Sequence, residues 1–439
     1  MKKEELREKL YLKNCDEIKG FKRVQNNEKL KIIGITGSHG KSTIAYLLNE
    51  YLKLLGYRTV LYSSIMVDSL KSSYIQQKSL EIPLESEVVL YNALTEAMES
   101  NADYLILEVN DSTIYKGFIN ELDMDVKVLT NIYEKENQMY DDYVEIKKRF
   151  MREGNHKSVI GLVSDNTINL FNELKGKEII TYSTEFFIEN KKLDIRDVNY
   201  FLKPFKDQYN SFSGLVFEVM GLDKKLKLKT NLNMPFHGIN ILCLLAVIDT
   251  LKLFDKNTFS KLISNICIPG RDEIIKYKNG FIMISNTFVP HLEVLQSYKG
   301  KEVDKITLIT GASGNEFPTW NKTYLSERFI KQREYDMNYA YKYAKQYADN
   351  IIITSNDSGN SDIKNLLNTQ EKHVKDFKNY LIFEERREAI KHALENISPK
   401  EVIFISGRGN REIMCKNNKI FKHLDKDVVV KIIGGIDYE

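Results

Sequence analysis

The chain has 439 residues, 42% apolar and 28% charged, the make-up of a soluble globular protein long enough for two or three domains. Its 64 basic residues are offset by 61 acidic ones, leaving a net charge of +3, which gives no case for nucleic acid as a partner. The 4 cysteines form no CxxC pair, no apolar run reaches membrane-spanning length, and the N-terminal MKKEELREKL lacks the apolar core of a signal peptide; zinc knuckles, disulfide scaffolds, membrane partners and secretion drop out, and a cytoplasmic protein is expected.

Residues 1–28 read as a short polar leader. KIIGIT (31–36) then predicts a buried strand that runs straight into a glycine-rich loop. KSTIAYLLNEYLKLLG follows with apolar residues at helical spacing and stops at Gly56. RTVLYSS (58–64) predicts a strand, 86–99 a helix, DYLILEV (103–109) and DVKVLTN (125–131) two more buried strands, 141–152 a helix and SVIGLVS (158–164) a further strand. The lysine-rich stretch 176–232, with runs such as SGLVFEV, reads as meandering β structure, and INILCLLAVIDTLKLF (239–254) as a buried helix. From IPGRDE (268–273) the alternation restarts, with strands at FIMISN, KITLITG, NIIITS and EVIFIS. The expected fold is therefore α/β: a P-loop-type, doubly wound central domain over 29–266, then a second, Rossmann-like α/β domain over 267–439.

GITGSHGKST (34–43) departs from the strict phosphate-loop pattern, because Ile35 stands where that pattern needs its first glycine. A shortened loop of this kind still makes an anion site. Backbone N–H groups line a tight turn, the helix dipole adds positive potential, a lysine brings a point charge to the β- and γ-phosphates, and a serine hydroxyl can ligate Mg²⁺. Thr36, Gly37, Ser38, His39, Gly40, Lys41, Ser42 and Thr43 are the candidate nucleotide-binding residues.

TGSHGKST resembles the nucleotide loop of the Mur ligase family, ATP-dependent enzymes that form amide bonds. The resemblance continues in chain order through LEVND (107–111), VLTNIY (128–133), YVEIKKRF (143–150), HGINILCLLAVI (237–248) and PGRDE (269–273). ITGASGNEF (309–317), ITSNDSGNSD (353–362) and SGRGNRE (406–412) are similar to the C-terminal part of its tripeptide-forming branch. What this implies is carried residue by residue. Glu108 falls where a family glutamate coordinates Mg²⁺ beside Ser42, and a carboxylate at a strand's C-terminal end suits that task. Lys147, or its neighbour Lys148, falls where the family carbamylates a lysine. Asn240 matches an asparagine of the buried helix, and Arg271 an arginine that contacts phosphate across the domain junction. The implied catalytic set is Lys41, Glu108, Lys147 and Arg271, with ATP and Mg²⁺ as cofactors and a small carboxylate and an amine as substrates.

The sequence also departs from the family. TNIYEKENQMY has no histidine where a metal ligand is usual, leaving Glu134, Glu136 or Asn137 as oxygen donors. Cys243 stands where a second asparagine is usual, and Ser285-Asn286-Thr287-Phe288 replaces Asp-Tyr-Ala-His. Asn356-Asp357-Ser358-Gly359 replaces the Asp-Asn-Pro-Arg of the diaminopimelate-adding enzymes, which removes a bidentate carboxylate clamp at that place. Only 33 residues precede Gly34, too few for the UDP-binding domain that Mur ligases proper carry before the loop. His156, His291, His373, His392 and His423 show no metal spacing and are expected in loops or on the surface. The reading is an ATP-dependent carboxylate–amine ligase acting through an acyl phosphate. The alternatives are a binding protein with degenerate catalysis, or a P-loop kinase or ATPase.

Overall fold

The computed structural model describes residues 29–434, apart from 71–72, 75–86, 118, 120–121, 134–141, 205–211, 213, 222–223, 312, 315–326, 360 and 417–418. Its first half contains β1 (Lys31–Thr36), α1 (Lys41–Leu54), β2 (Thr59–Tyr62), β3 (Val67–Asp68), β4 (Ser73–Tyr74), α2 (Glu87–Glu99), β5 (Tyr104–Glu108), α3 (Asp111–Tyr115), β6 (Val126–Leu129), α4 (Tyr143–Arg152), β7 (Lys157–Gly161) and α5 (Asp165–Leu174). Then come β8 (Ile179–Thr184), α6 (Glu185–Asn190), β9 (Tyr200–Pro204), β10 (Leu215–Gly221), β11 (Lys224–Thr230), α7 (Phe236–Thr250) and α8 (Lys256–Asn265). These strands make one eleven-stranded sheet in the order β11-β10-β9-β8-β7-β6-β1-β5-β2-β3-β4. The run from β9 to β2 is parallel, and antiparallel strands close both edges.

The second half contains β12 (Glu273–Tyr277), β13 (Gly280–Ser285), α9 (Val289–Ser297), β14 (Lys305–Thr310), α10 (Glu327–Tyr347), β15 (Asn350–Thr354), α11 (Ile363–Val374), β16 (Tyr380–Phe383), α12 (Arg386–Glu395), β17 (Glu401–Ser406), the hairpin β18 (Ile413–Lys416) and β19 (Lys419–Lys422), and α13 (Asp425–Ile433). Its six-stranded sheet has the order β12-β13-β17-β14-β15-β16, parallel except for β12.

Both sheets are covered on both faces, which explains why their strands read as continuous apolar runs. On β1, Ile33 and Ile35 join a core built with α1, α7 and α8, while Ile32 points to the opposite core with α2, α4 and α5. The second sheet divides the same way, with α9, α10 and α11 on one face and α12 and α13 on the other. Helix α7 is apolar all round because it is buried almost throughout, from His237 to Thr250. The expected meander over 176–232 is corrected in part. β8 and β9 extend the parallel sheet with a short helix between them, and only β9 to β11 form an antiparallel meander.

Candidate active site

β1 ends at Thr36, and the chain turns through Gly37 to Gly40 before α1 begins. Gly40 is the left-handed N-cap, φ 85°, and a Cβ there would lie 2.6 Å from Asn240 Oδ1. The turn and the close approach of α7 both require glycine. The first intrahelical bond is Ile44 N–H to Gly40 O at 2.9 Å, and no side chain caps the helix. The N–H groups of Lys41, Ser42 and Thr43 are thus left at the positive end of the dipole, an anion site by construction. Lys41 folds back over the turn, its Nζ donating to Gly37 O at 3.0 Å.

Ser38 and His39 turn toward β6 instead. Ser38 N–H donates to Asn131 O at 3.0 Å and His39 N–H to Asn131 Oδ1 at 2.9 Å. Thr130 Oγ1 donates to His39 O at 2.6 Å, and Tyr143 OH to Ser38 Oγ at 2.9 Å. These bonds brace the loop from behind, and the Thr-Asn strand end acts here as a scaffold for the turn.

Glu108 closes β5 at the neighbouring strand end, buried to 9% exposure. Its Oε1 accepts from Ser42 Oγ at 2.9 Å and its Oε2 from Ser64 N–H at 2.7 Å. Ser64 Oγ lies 2.8 Å from Ser42 Oγ. Because β2, β5 and β1 are adjacent and parallel, their C-terminal ends bring Ser64, Glu108 and Ser42 together in the crevice where open α/β sheets hold ligands. Sequence reasoning read Ser64 only as the end of a strand. Its position at a C-terminal strand tip was the available signal.

Lys147 and Lys148 are separated by their surroundings. Lys147 is fully buried on α4, its Nζ 4.0 Å from Asp111 Oδ1 and 4.6 Å from the centre of the Tyr143 ring. Lys148 reaches outward, 3.6 Å from Glu173 Oε1. Cys243 is buried in the core, where burial pushes its thiol up to about 12. Glu134, Glu136 and Asn137 lie outside the described residues.

Arg271 opens the second half of the chain. Burial pushes its pKa down, and the charges of Glu108 and Asp272 oppose that shift. Asp272 beside it lies between two histidines, hydrogen-bonded through Oδ2 to His237 Nε2 at 2.9 Å, with His291 Nε2 2.6 Å from its Oδ1. Those rings hold its carboxyl far below the usual carboxylate range against the cost of burial. His237 lies on α7 and His291 on α9, so this one carboxylate ties together helices that pack on different sheets. One of the histidine expectations is corrected here: His291 lies on α9 and is 3% exposed. His423, in the loop before α13, places its Nε2 3.1 Å from the buried Asp425.

The loop after β17 completes the crevice. Asn410 Nδ2 donates to Ile65 O at 2.9 Å, one residue from Ser64. The two halves therefore touch beside the Ser42–Glu108 pair.

This arrangement has close counterparts. The Mur ligase middle domain matches residues 35–248. The UDP-N-acetylmuramoyl-L-alanyl-D-glutamate–2,6-diaminopimelate ligase of Helicobacter pylori is 27% identical over 412 residues, 91% of this chain and 83% of its own length. The enzyme of the same name from Caldanaerobacter subterraneus is 23% identical over 417 residues, 92% of this chain and 78% of its own. A solved structure of such a ligase superposes with a TM-score of 0.59 at 19% identity, covering 94% of this chain and 80% of that one. With the loop and the strand-end glutamate assembled in one crevice, residues 35–248 match the Mur ligase middle domain, and the chain as a whole is similar to the ligases named above.

Proposed function

We propose that this protein is an ATP-dependent carboxylate–amine ligase. The observation that carries the reading is the convergence of the α1 N-terminus, Lys41, Ser42 and Glu108 with the second half of the chain, where Asn410 bonds Ile65 O beside Ser64 and Gly270, next to Arg271, packs against Asn410. An ATPase or kinase needs the first four; an arginine brought across a junction suits a reaction in which a second substrate meets the γ-phosphate.

A divalent cation fits the donors present. Ser42 and Glu108 offer a hydroxyl and a carboxylate, hard oxygen ligands on adjacent strand ends. Among the described residues no group of three or more His, Cys, Asp or Glu side chains could hold a metal. That favours Mg²⁺, which is commonly held by one or two carboxylates and the substrate's own phosphates. Bound there, it would neutralise charge on the phosphate oxygens.

The reaction follows from these positions. The N–H groups of 41–43 and Lys41 hold the β- and γ-phosphates in place. A substrate carboxylate oxygen forms a bond to the γ-phosphorus as ADP leaves, giving an acyl phosphate. The amine then attacks the acyl carbon and loses a proton, and phosphate departs to leave the amide. Arg271 stabilises charge on the transferring group, and most of the protein's work is positioning and electrostatics. Lys147, fully buried where Lys148 is not, is our choice for the lysine that carries a carbamate. We read the chain as two units joined near residue 267, acting in the cytoplasm on small molecules. Among the described residues no helix is long and apolar enough to cross a membrane.

Phosphate release from Mg-ATP tests the reading. A ligase gives phosphate only when a carboxylate acceptor and an amine are both supplied, and the product mass equals their sum less water. Release without either substrate points to an ATPase, and a phosphorylated hydroxyl product points to a kinase.

A further inference from the structure

The turn over 268–273 grips Arg271 from both sides. Gly270 before it has φ 65° and Asp272 after it φ 59°. Arg271 N–H donates to Ile268 O at 3.0 Å, and Gly270 N–H to Glu273 Oε1 at 2.7 Å. The left-handed region is free to glycine but costs an aspartate some backbone strain. Such a conformation persists where the surrounding contacts over-determine it, and strained residues of this kind cluster at working sites. At Asp272 the contacts that fix it are made by the side chain.

Those contacts form a buried path between the two halves of the chain. On one side, Asp272 Oδ2 is bonded to His237 Nε2, and Asn240 Nδ2 lies 3.5 Å from Nδ1 across the same ring. A donor at Nδ1 leaves the ring proton on Nε2, facing the carboxylate. Asn240 Oδ1 in turn rests against Gly40 of the nucleotide loop. On the other side, His291 Nε2 stands 2.6 Å from Oδ1 and leads into α9. Tyr298, which caps α9, donates from its OH to Asn233 O at 3.0 Å, just before α7. Aromatic rings keep the path dry. The Phe236 ring centre is 4.8 Å from that of His237 and 5.2 Å from that of His291, and Phe404 closes on His291 at 5.5 Å. Polar contacts in such a shell are stronger than in water, and a broken one costs more. The sequence Gly40–Asn240–His237–Asp272–His291 thus joins the phosphate loop to the second half, and Arg271 is attached to it at Asp272.

We propose that Asp272 is a positioning residue: anchored by His237 and His291, it fixes the backbone of Arg271 relative to the nucleotide loop and so aims the guanidinium at the γ-phosphate held there. This rests on the ligase reading above, in which Arg271 stabilises the transferring group. An arginine side chain is long and has many rotamers, so its aim depends on where its backbone is held. A misplacement of about an ångström is enough to lose much of a positioned group's effect.

The experiment uses the full chain with Asp272→Asn, His291→Gln, Arg271→Gln and the double variant Arg271→Gln/Asp272→Asn. Calorimetric titration with Mg-ADP and with the non-hydrolysable analogue Mg-AMP-PNP isolates the contribution of the γ-phosphate. Asp272→Asn is expected to weaken AMP-PNP about 10- to 100-fold, the worth of a charged hydrogen-bonded contact, with ADP affinity unchanged. Arg271→Gln shows the same loss, and adding Asp272→Asn to it costs nothing more, because the aspartate acts only through the arginine. His291→Gln keeps the His237 bond and loses part of the γ-phosphate affinity; it carries the test where Asp272→Asn does not fold. A residue that merely holds the fold together weakens both nucleotides alike or neither, and either result overturns the proposal. An additive loss in the double variant overturns it, as does an unchanged AMP-PNP affinity in Arg271→Gln. Failure of the ligase reading shows separately, as no amide product from the wild type while the selective loss in Asp272→Asn stands.

Discussion

Glu108 shows how one side chain sets the chemistry of the crevice. Its two oxygens accept from Ser42 Oγ and Ser64 N–H, so its position is fixed before any ligand arrives. Glu108→Gln keeps the shape and an acceptor for Ser64 but removes the charge. Turnover should fall about 10²- to 10³-fold, the scale of losing one preorganised electrostatic group, while the protein stays folded and still binds nucleotide. Full turnover in steady-state assays of that variant would remove Glu108 from the mechanism. The strand-end glutamate, the loop lysine and the serine were legible because each follows a strand with a strong buried pattern. Ser64 and the bracing contacts of Asn131 were not. Their roles depend on which strands become neighbours and how closely two loops approach, and no local pattern encodes that.

At the scale of elements, α7 is the clearest case of sequence pattern becoming structure. Its run of apolar residues has no polar face, and it lies buried from His237 to Thr250 against α1 and the large sheet. The polar end carries a less visible feature, the His237–Asp272–His291 arrangement that reaches α9. Asp272→Asn leaves one buried ring nitrogen facing an amide donor, which costs about 1–3 kcal/mol, readable as a lower midpoint in denaturant unfolding. The pH dependence has a definite sign. The folded pKa of Asp272 is depressed, so the unfolded chain takes up the proton first as pH falls. Its contribution is complete above about pH 3.9 and drains away below it. Acid unfolding of the wild type should therefore steepen below that pH, and Asp272→Asn should flatten the curve there; equal slopes would contradict the assignment. Long central strands were legible for the reason α7 was, continuous apolar runs. The edge strands β12 and β16 and the hairpin β18–β19 were missed. Strands at sheet edges bury less and carry mixed patterns, as in Leu381, 45% exposed, and Phe421, 38% exposed.

At the scale of the molecule, two open sheets place their loops against one another. The nucleotide loop and Glu108 come from the larger sheet, and Arg271 and the 406–412 loop belong to the second half of the chain. Neither part holds the whole set. Such a division suits a reaction that must shield an acyl phosphate from water until the amine arrives. The alternation of strands and helices made this two-sheet plan legible, and the order of motifs along the chain made the likeness to Mur ligases legible. The identity of the substrates was not, because the stretch Asn356-Asp357-Ser358-Gly359 departs from the pattern of the similar ligases. The most direct test labels the carboxylates of a pooled acceptor panel with ¹⁸O and follows the phosphate released from Mg-ATP in the presence of amines. The account predicts phosphate carrying one ¹⁸O per turnover, the oxygen that bridged acyl carbon and phosphorus. Phosphate released without label would mean that water, and not a carboxylate, attacks the γ-phosphorus, and would contradict it.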